Sequence, residues 1–156
     1  MTSNIMRWRT GDLLCTVPIR RDDLNQAISR DGFRPEHMPE PGKDRWYSWR
    51  DVVAIAAAQE LRMIGHGPKT AFGLVQEHLS PFLCSSVNQL CDCDGVLWLI
   101  LPFEDGPGTG SRCEFVQHTN DDALLIASGK SACIIVNVGR IAQRILDELK
   151  GSESDE

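Results

Sequence analysis

The sequence lacks any apolar run long enough to cross a membrane. Its longest such run, Val96–Pro102, is far shorter than the roughly 20 residues that a spanning helix needs. The segment from Met1 to Asp12 also lacks the continuous apolar stretch that follows the basic start of a secretory signal. We therefore expect a soluble, cytoplasmic protein with no membrane partner.

The six cysteines lack the paired spacing of a zinc site. Cys91-Asp92-Cys93 is only a C-x-C pattern, and no second pair follows at the spacing of a zinc ribbon or finger. Disulfides are not expected either, because no secretory signal indicates an oxidising compartment. Buried free thiols are the simpler interpretation, and we predict no metal site and no cofactor.

Catalytic and phosphate-binding motifs are lacking as well. Gly106–Ser111 is rich in glycine, but it has no Lys-Ser/Thr ending and no helix start after it, so a hairpin loop is the better interpretation. His118, Asp121 and Cys113 have no spacing that favours a hydrolytic site. We therefore predict that the protein is not an enzyme.

An overall basic excess is also absent, since the net charge is −6. The charge is nevertheless unevenly distributed. Residues 1–70 carry eleven basic against nine acidic side chains, whereas residues 71–156 carry five against thirteen. An acidic C-terminal half is unsuited to phosphate, but the N-terminal half permits DNA binding if its arginines gather on one face.

The pattern of the N-terminal half predicts helices separated by short connections. Apolar residues at i, i+3 and i+4 favour a helix over Arg20–Ile28, with arginines and amides on its other face. Gly32 ends this helix. A Pro-rich loop over residues 34–44 then leads to a predicted short strand, Arg45–Tyr47.

Two further helices are predicted from their start and stop signals. Ser48 and Asp51 form a capping box for a helix over Trp49–Ile64, which Gly65 ends. The next helix begins at Gly67-Pro68, and Ser80-Pro81 repeats that signal for a weaker helix reaching about residue 90.

The C-terminal half changes to an α/β pattern. Apolar and alternating segments predict strands, and a repeat of apolar residues from Val138 to Leu149 predicts an amphipathic final helix. The acidic tail, residues 151–156, is predicted to be disordered. The predicted strands are Val96–Leu101, Cys113–Thr119, Ala123–Ala127 and Ala132–Asn137.

The segment from Arg45 to Val75 resembles the second half of a MerR-family DNA-binding domain. In that family an Arg-rich wing strand ends in a tyrosine and is followed by a capped helix, a glycine break and a second helix. Tyr47 is followed four residues later by Asp51, which is followed by Gly65 fourteen residues on, and this spacing matches the family pattern.

The resemblance extends upstream and covers roughly residues 10–79. Val17–Arg21 and Gly32–Pro35 are similar to the turn before the family's recognition helix and to the stretch after it. The first helix of the motif would lie near Thr10–Cys15. Three features depart from the family: this first helix is short, the wing loop (residues 34–44) is acidic, and no long dimerising helix follows.

The resemblance implies a winged helix-turn-helix that reads double-stranded DNA. Its recognition helix would enter the major groove, where arginine contacts guanine or phosphate and amide side chains contact adenine. The other interpretation is that these residues are ordinary solvated ones. For Trp46 and Trp49, anchoring of the core is preferred to stacking on bases. The predicted DNA-binding residues are Arg20, Arg21, Asn25, Gln26, Arg30, Lys43, Arg45 and Trp46.

The predicted fold is α+β: an N-terminal winged helix-turn-helix over residues 1–79, a connecting helix or turn over 80–95, and a small antiparallel sheet with an amphipathic helix over 96–150. The second part would dimerise the chain or sense a small-molecule effector, and we expect a homodimeric transcription regulator. The alternative is a protein–protein interaction adaptor on the same scaffold, which the acidic loop and the low basic excess favour.

Overall fold

The computed structural model describes residues 7–40, 42–85, 96–102, 111–117 and 134–153. They contain helices together with antiparallel strands, so the predicted α+β class is confirmed. The chain divides into two compact units, one comprising the residues up to Ser85 together with those from Ile145 onward, and the other lying between them. The predicted functional division of the chain stays a prediction.

The first unit begins with a two-stranded antiparallel ribbon. Strand β1 (Arg7–Arg9) pairs with strand β2 (Trp46–Ser48), so that Trp8 lies opposite Tyr47 and both are buried. The predicted strand Arg45–Tyr47 is therefore displaced by one residue, and its partner is a strand that the sequence did not predict. Three residues are too few to show a strand period, which explains the omission.

Two short helices lie between the strands of the ribbon: α1 (Thr10–Thr16) and α2 (Arg21–Ser29). Helix α2 is displaced by one residue from the predicted Arg20–Ile28. It ends before Gly32, which takes a positive φ of 86°, and the backbone N–H of Phe33 donates to the carbonyl of Ala27 at 3.1 Å. The ring of Phe33 is buried against Phe72 from a later helix, with ring centroids 5.7 Å apart.

Helix α3 (Trp49–Met63) is the central helix of the first unit, and every residue from Val52 to Gln59 is buried. The predicted capping box is confirmed: the Asp51 N–H donates to Ser48 Oγ at 3.2 Å, and the Ser48 N–H donates to Asp51 Oδ2 at 2.9 Å. Gly65 follows the helix with φ of 107°, the left-handed geometry that glycine tolerates best.

The remaining helical segments of the first unit follow one another without a break. Helix α4 (Pro68–Leu74) passes into a π-helical turn (Val75–Leu79) and then into α5 (Ser80–Ser85). The Ser80-Pro81 signal thus lies within a continuous helical run instead of starting a separate helix. The rest of the predicted connecting segment, residues 86–95, lies outside the described residues.

In the second unit, β3 (Val96–Pro102) is the central strand of a three-stranded antiparallel sheet with the order β4-β3-β5. Strand β4 is Ser111–Gln117 and β5 is Ile134–Asn137. The predicted antiparallel sheet is confirmed for these three strands. The predicted strand Ala123–Ala127 lies outside the described residues, as do Cys91, Cys93 and His118.

The final helix, α6 (Val138–Glu153), buries Val138, Ile141, Ala142 and Ile145, as its apolar repeat predicts. It continues through residues 151–153, which corrects the prediction that disorder begins at residue 151. None of the described helices is long and apolar enough to cross a membrane.

Candidate nucleic-acid interface

Helices α1 and α2 are held together by the four residues that connect them. Val17 and Ile19 are buried in this turn, and the Val17 N–H donates to the Leu13 carbonyl at 2.9 Å. Leu24 and Ala27 bury the inner face of α2. The turn therefore fixes which face of α2 points outward.

The outward face of α2 contains only polar residues. The predicted residues Arg21, Asn25, Gln26 and Arg30 all lie on this surface or at its C-terminal end. Within the described ranges, neither Arg21 nor Arg30 forms an ion pair. Both guanidinium groups are therefore available to phosphate or to a base edge. The exposed residues of this surface, the α2 face, are Arg21, Asp22, Asn25, Gln26, Ser29 and Arg30.

Arg20 lies at the N-cap of α2, and its side chain is 84% exposed. Its Nε and Nη2 each donate to Asp23 at 3.1 Å. This hydrogen bonding raises the pKa of Arg20 and lowers the pKa of Asp23. Asp23 also lies 3.7 Å from Arg62 Nη1. Arg20 thus lies at the exposed start of α2, where Asp23 already balances its charge.

Arg45, the residue before β2, connects the ribbon to helix α2, because its Nη1 donates to Asn25 Oδ1 at 3.1 Å. These two predicted residues are twenty positions apart in the sequence. The structure therefore brings one predicted wing residue directly to the predicted recognition helix. The bond also fixes the orientation of the Asn25 amide, whose nitrogen remains a donor.

Trp46 and Lys43 are the other two predicted residues of the wing region. Trp46 is half-buried under the guanidinium of Arg9, 5.0 Å from the ring centroid, a cation–π contact. The buried anchors of the ribbon are Trp8 and Tyr47, which corrects the expectation that Trp46 anchors the core. Lys43 is exposed and forms an ion pair with Glu40 at 2.6 Å.

The second tryptophan expected to anchor the core, Trp49, is also only half-buried, with the guanidinium of Arg50 5.6 Å from its ring centroid. Sequence reasoning missed the exposed Arg7 and Arg9 of β1. The order exposed, buried, exposed of Arg7, Trp8 and Arg9 fits a strand with one buried face, but three residues are too few to predict that strand from the sequence.

No three potential metal ligands come together in the described part of the chain. Cys15 and Cys84 are exposed free thiols, so neither is the buried thiol expected from the composition.

A comparison with protein-family models finds no match for this chain, and no curated protein matches it either. The resemblance to the MerR family rests on the residues given above.

Proposed function

We propose that the first unit is a MerR-like winged helix-turn-helix that binds double-stranded DNA, and that the protein is a transcription regulator. Helix α2 would be the recognition helix, with β1 and β2 in place of the wing. The order strand, helix, helix, strand and capped helix agrees with this proposal. So does the short turn between α1 and α2, since a helix-turn-helix presents its second helix to the major groove.

The observation that carries the proposal is the composition of the α2 face. It presents two arginines without ion pairs among the described residues, two amides, the Ser29 hydroxyl and one carboxylate, Asp22, and no apolar residue is exposed on it. Arginine recognises guanine and phosphate, and amide side chains recognise adenine. A helix face that only met water would not need arginine and amide side chains together.

A single α2 helix would cover few base pairs, so a homodimer is part of the proposal. Two-fold pairing doubles the contacts and places two recognition helices on successive half-sites. We propose that the second unit, with its three-stranded sheet, supplies the dimer contact or senses an effector. Analytical ultracentrifugation of the full chain tests this: a monomer at the concentration used for DNA binding would contradict it.

The experiment for the main proposal is fluorescence anisotropy of the protein on mixed-sequence duplex DNA at low and moderate salt. The Arg20→Ala/Arg21→Ala variant removes two cations at the start of α2, and we expect it to bind about ten- to hundredfold more weakly. The matched control is Arg140→Ala/Arg144→Ala, which removes two exposed arginines from α6. Equal losses in both variants, or no binding at low salt, would contradict the proposal.

The second candidate function is a protein–protein adaptor on the same scaffold. It is favoured because two of the predicted DNA-binding residues already form ion pairs within the chain: Arg20 with Asp23, and Lys43 with Glu40. A surface of balanced charges suits a polar protein interface. Absence of DNA binding at low salt, with the chain folded and dimeric, is the result that would favour it.

A further inference from the structure

The first unit contains a pocket of about 250 Å³ outside the α2 face. One wall comes from the segment after α2 and contains Glu36. A second comes from the start of α3 and contains Arg50. The third comes from the π-helical turn and α5 and contains Gln76, Pro81 and Leu83. A cavity of about 150 Å³ accommodates benzene, so this pocket is large enough for a small metabolite.

The walls of the pocket are fixed by hydrogen bonds between segments that are distant in sequence. Asp51 accepts the Glu36 N–H at 3.1 Å through Oδ1, while its Oδ2 accepts the Ser48 N–H. Gln76 Oε1 accepts the Arg34 N–H at 2.8 Å. Gln76 lies in the π-helical turn, a feature frequently found at functional sites. The pocket is therefore a constructed feature of the unit.

A half-buried ion pair lies in the pocket wall. Arg50 Nη1 donates to Glu36 Oε1 at 2.8 Å, and each side chain is 27% exposed. Nη2 of Arg50 makes no hydrogen bond with any residue in the described ranges, whereas Nε is buried without a partner. Nη2 can therefore donate to an added acceptor, but the enclosed Nε cannot be reached by one.

The Glu36 carboxylate keeps some capacity to accept hydrogen bonds. It accepts from Arg50 at 2.8 Å and from the Cys84 thiol at 3.7 Å, and the nearby Ser48 side chain helps to lower its pKa. A carboxylate offers about four acceptor sites. The pocket wall thus combines a cation with unused donors and an anion with an unused acceptor site.

We propose that this pocket binds a free α-amino acid or a closely similar small zwitterion. The ligand carboxylate accepts from Nη2 of Arg50, and the ligand ammonium donates to Glu36. The ligand side chain lies against Pro81 and Leu83. A simple anion would be repelled by Glu36 and a simple cation by Arg50, whereas a zwitterion complements both charges. The proposal does not depend on DNA binding.

The test is isothermal titration calorimetry of the full chain, first with a mixture of the twenty free amino acids and then with each one. We expect saturable binding that is lost when the amino acid is N-acetylated or converted to its carboxamide. Glu36→Gln should weaken binding about tenfold or more, because it removes a charge-assisted hydrogen bond. Glu40→Gln, at an exposed ion pair outside the pocket, is the matched control and should not change it.

The Nε–H resonance of Arg50 in an ¹⁵N-labelled sample provides a second readout, and it should shift on addition of the amino acid that binds. Absence of binding by all twenty amino acids would overturn the proposal. So would equal binding of the free and N-acetylated forms. Because these comparisons use the unaltered protein, they remain decisive if Glu36→Gln fails to fold.

Discussion

One arginine–carboxylate pair lies at the start of α2 and another lies in the pocket wall, and the two arginines differ in their exposure to water. Arg20 is 84% exposed and its partner Asp23 is 22% exposed, whereas Arg50 and Glu36 are each 27% exposed. Water and salt reach the Arg20 guanidinium, so an incoming phosphate can replace Asp23 as its partner. The guanidinium of Arg50 is better shielded. Arg20–Asp23 is therefore an exchangeable pair, whose arginine can turn to phosphate. Arg50–Glu36 is a fixed pair, which forms part of the pocket wall.

The largest expected effect concerns the residue that holds the fixed pair in place. Asp51→Ala removes the acceptor for the Ser48 and Glu36 N–H groups, which leaves both donors without a partner. We expect a loss of about 3 kcal/mol in the free energy of unfolding, measured by urea denaturation. Asp44→Ala, at an exposed loop position, is the control and should change stability little. Equal effects of the two variants would contradict the assigned role of Asp51.

The next effect concerns the link between the ribbon and α2. Arg45→Ala removes one cation and releases the Asn25 amide from its hydrogen bond. We expect DNA binding about tenfold weaker by anisotropy, together with a weaker preference for an operator obtained by in vitro selection over mixed-sequence duplex, because Asn25 is no longer oriented. Arg30→Ala removes a cation from the same helix without this bond. It should weaken binding to all sequences alike, and an identical loss of preference would disprove the orienting role.

A smaller effect of opposite sign is expected at the exchangeable pair. Asp23→Asn removes the carboxylate that balances Arg20 and lies 3.7 Å from Arg62. Both arginines become more available to phosphate, and we expect DNA binding to tighten about threefold to tenfold. Glu40→Gln is the comparison variant, because it also replaces a carboxylate by an amide beside a basic residue, Lys43. Weaker binding by Asp23→Asn would show that the pair orients Arg20 instead of neutralising it.

The smallest expected effect is the pH dependence of the fixed pair. Burial opposes the charge of Glu36, but hydrogen bonds from Arg50 and Ser48 outweigh burial, so its pKa lies below the usual 4.5. Its contribution to stability is therefore complete above pH 4.5 and is lost as the pH falls through the lowered pKa. Burial raises the pKa of Asp51, which acts in the opposite direction. The contribution of Asp51 to stability is therefore present below its ordinary pKa and is lost as the pH rises through the raised pKa.

Comparing the unaltered protein with Glu36→Gln isolates the contribution of Glu36. Urea unfolding at neutral pH and near pH 4 should show a smaller acid-induced loss in the variant, by less than about 1 kcal/mol. An equal or larger loss in the variant would contradict the assigned direction.

The sequence predicted the elements whose signals are local. The capping box of Ser48 and Asp51, the glycine at 65 and the proline at 68 mark the bounds of α3 and the start of α4 closely. Strand β1 was missed because three residues carry no usable period, and its partner lies far along the chain. The π-helical turn has no sequence signal that distinguishes it from an ordinary helix.

The α2 face was also predictable, because its residues lie within one helix and share its period. The pairing of Arg45 with Asn25 and the pocket were not. Glu36 lies fourteen positions from Arg50 and forty-eight from Cys84, and only tertiary packing brings them together. The sequence shows only that the wing loop is acidic, whereas the structure places one of its residues, Glu36, in the pocket wall.

The most direct test of DNA recognition is the salt dependence of binding to duplex DNA. Each phosphate contact contributes about −0.9 to the slope of log K against log salt. We predict that Arg20→Ala/Arg21→Ala makes this slope less steep by nearly two, while Arg140→Ala/Arg144→Ala leaves it unchanged. A slope equal in all three proteins would contradict the account, because it would show that α2 does not contact the phosphate backbone.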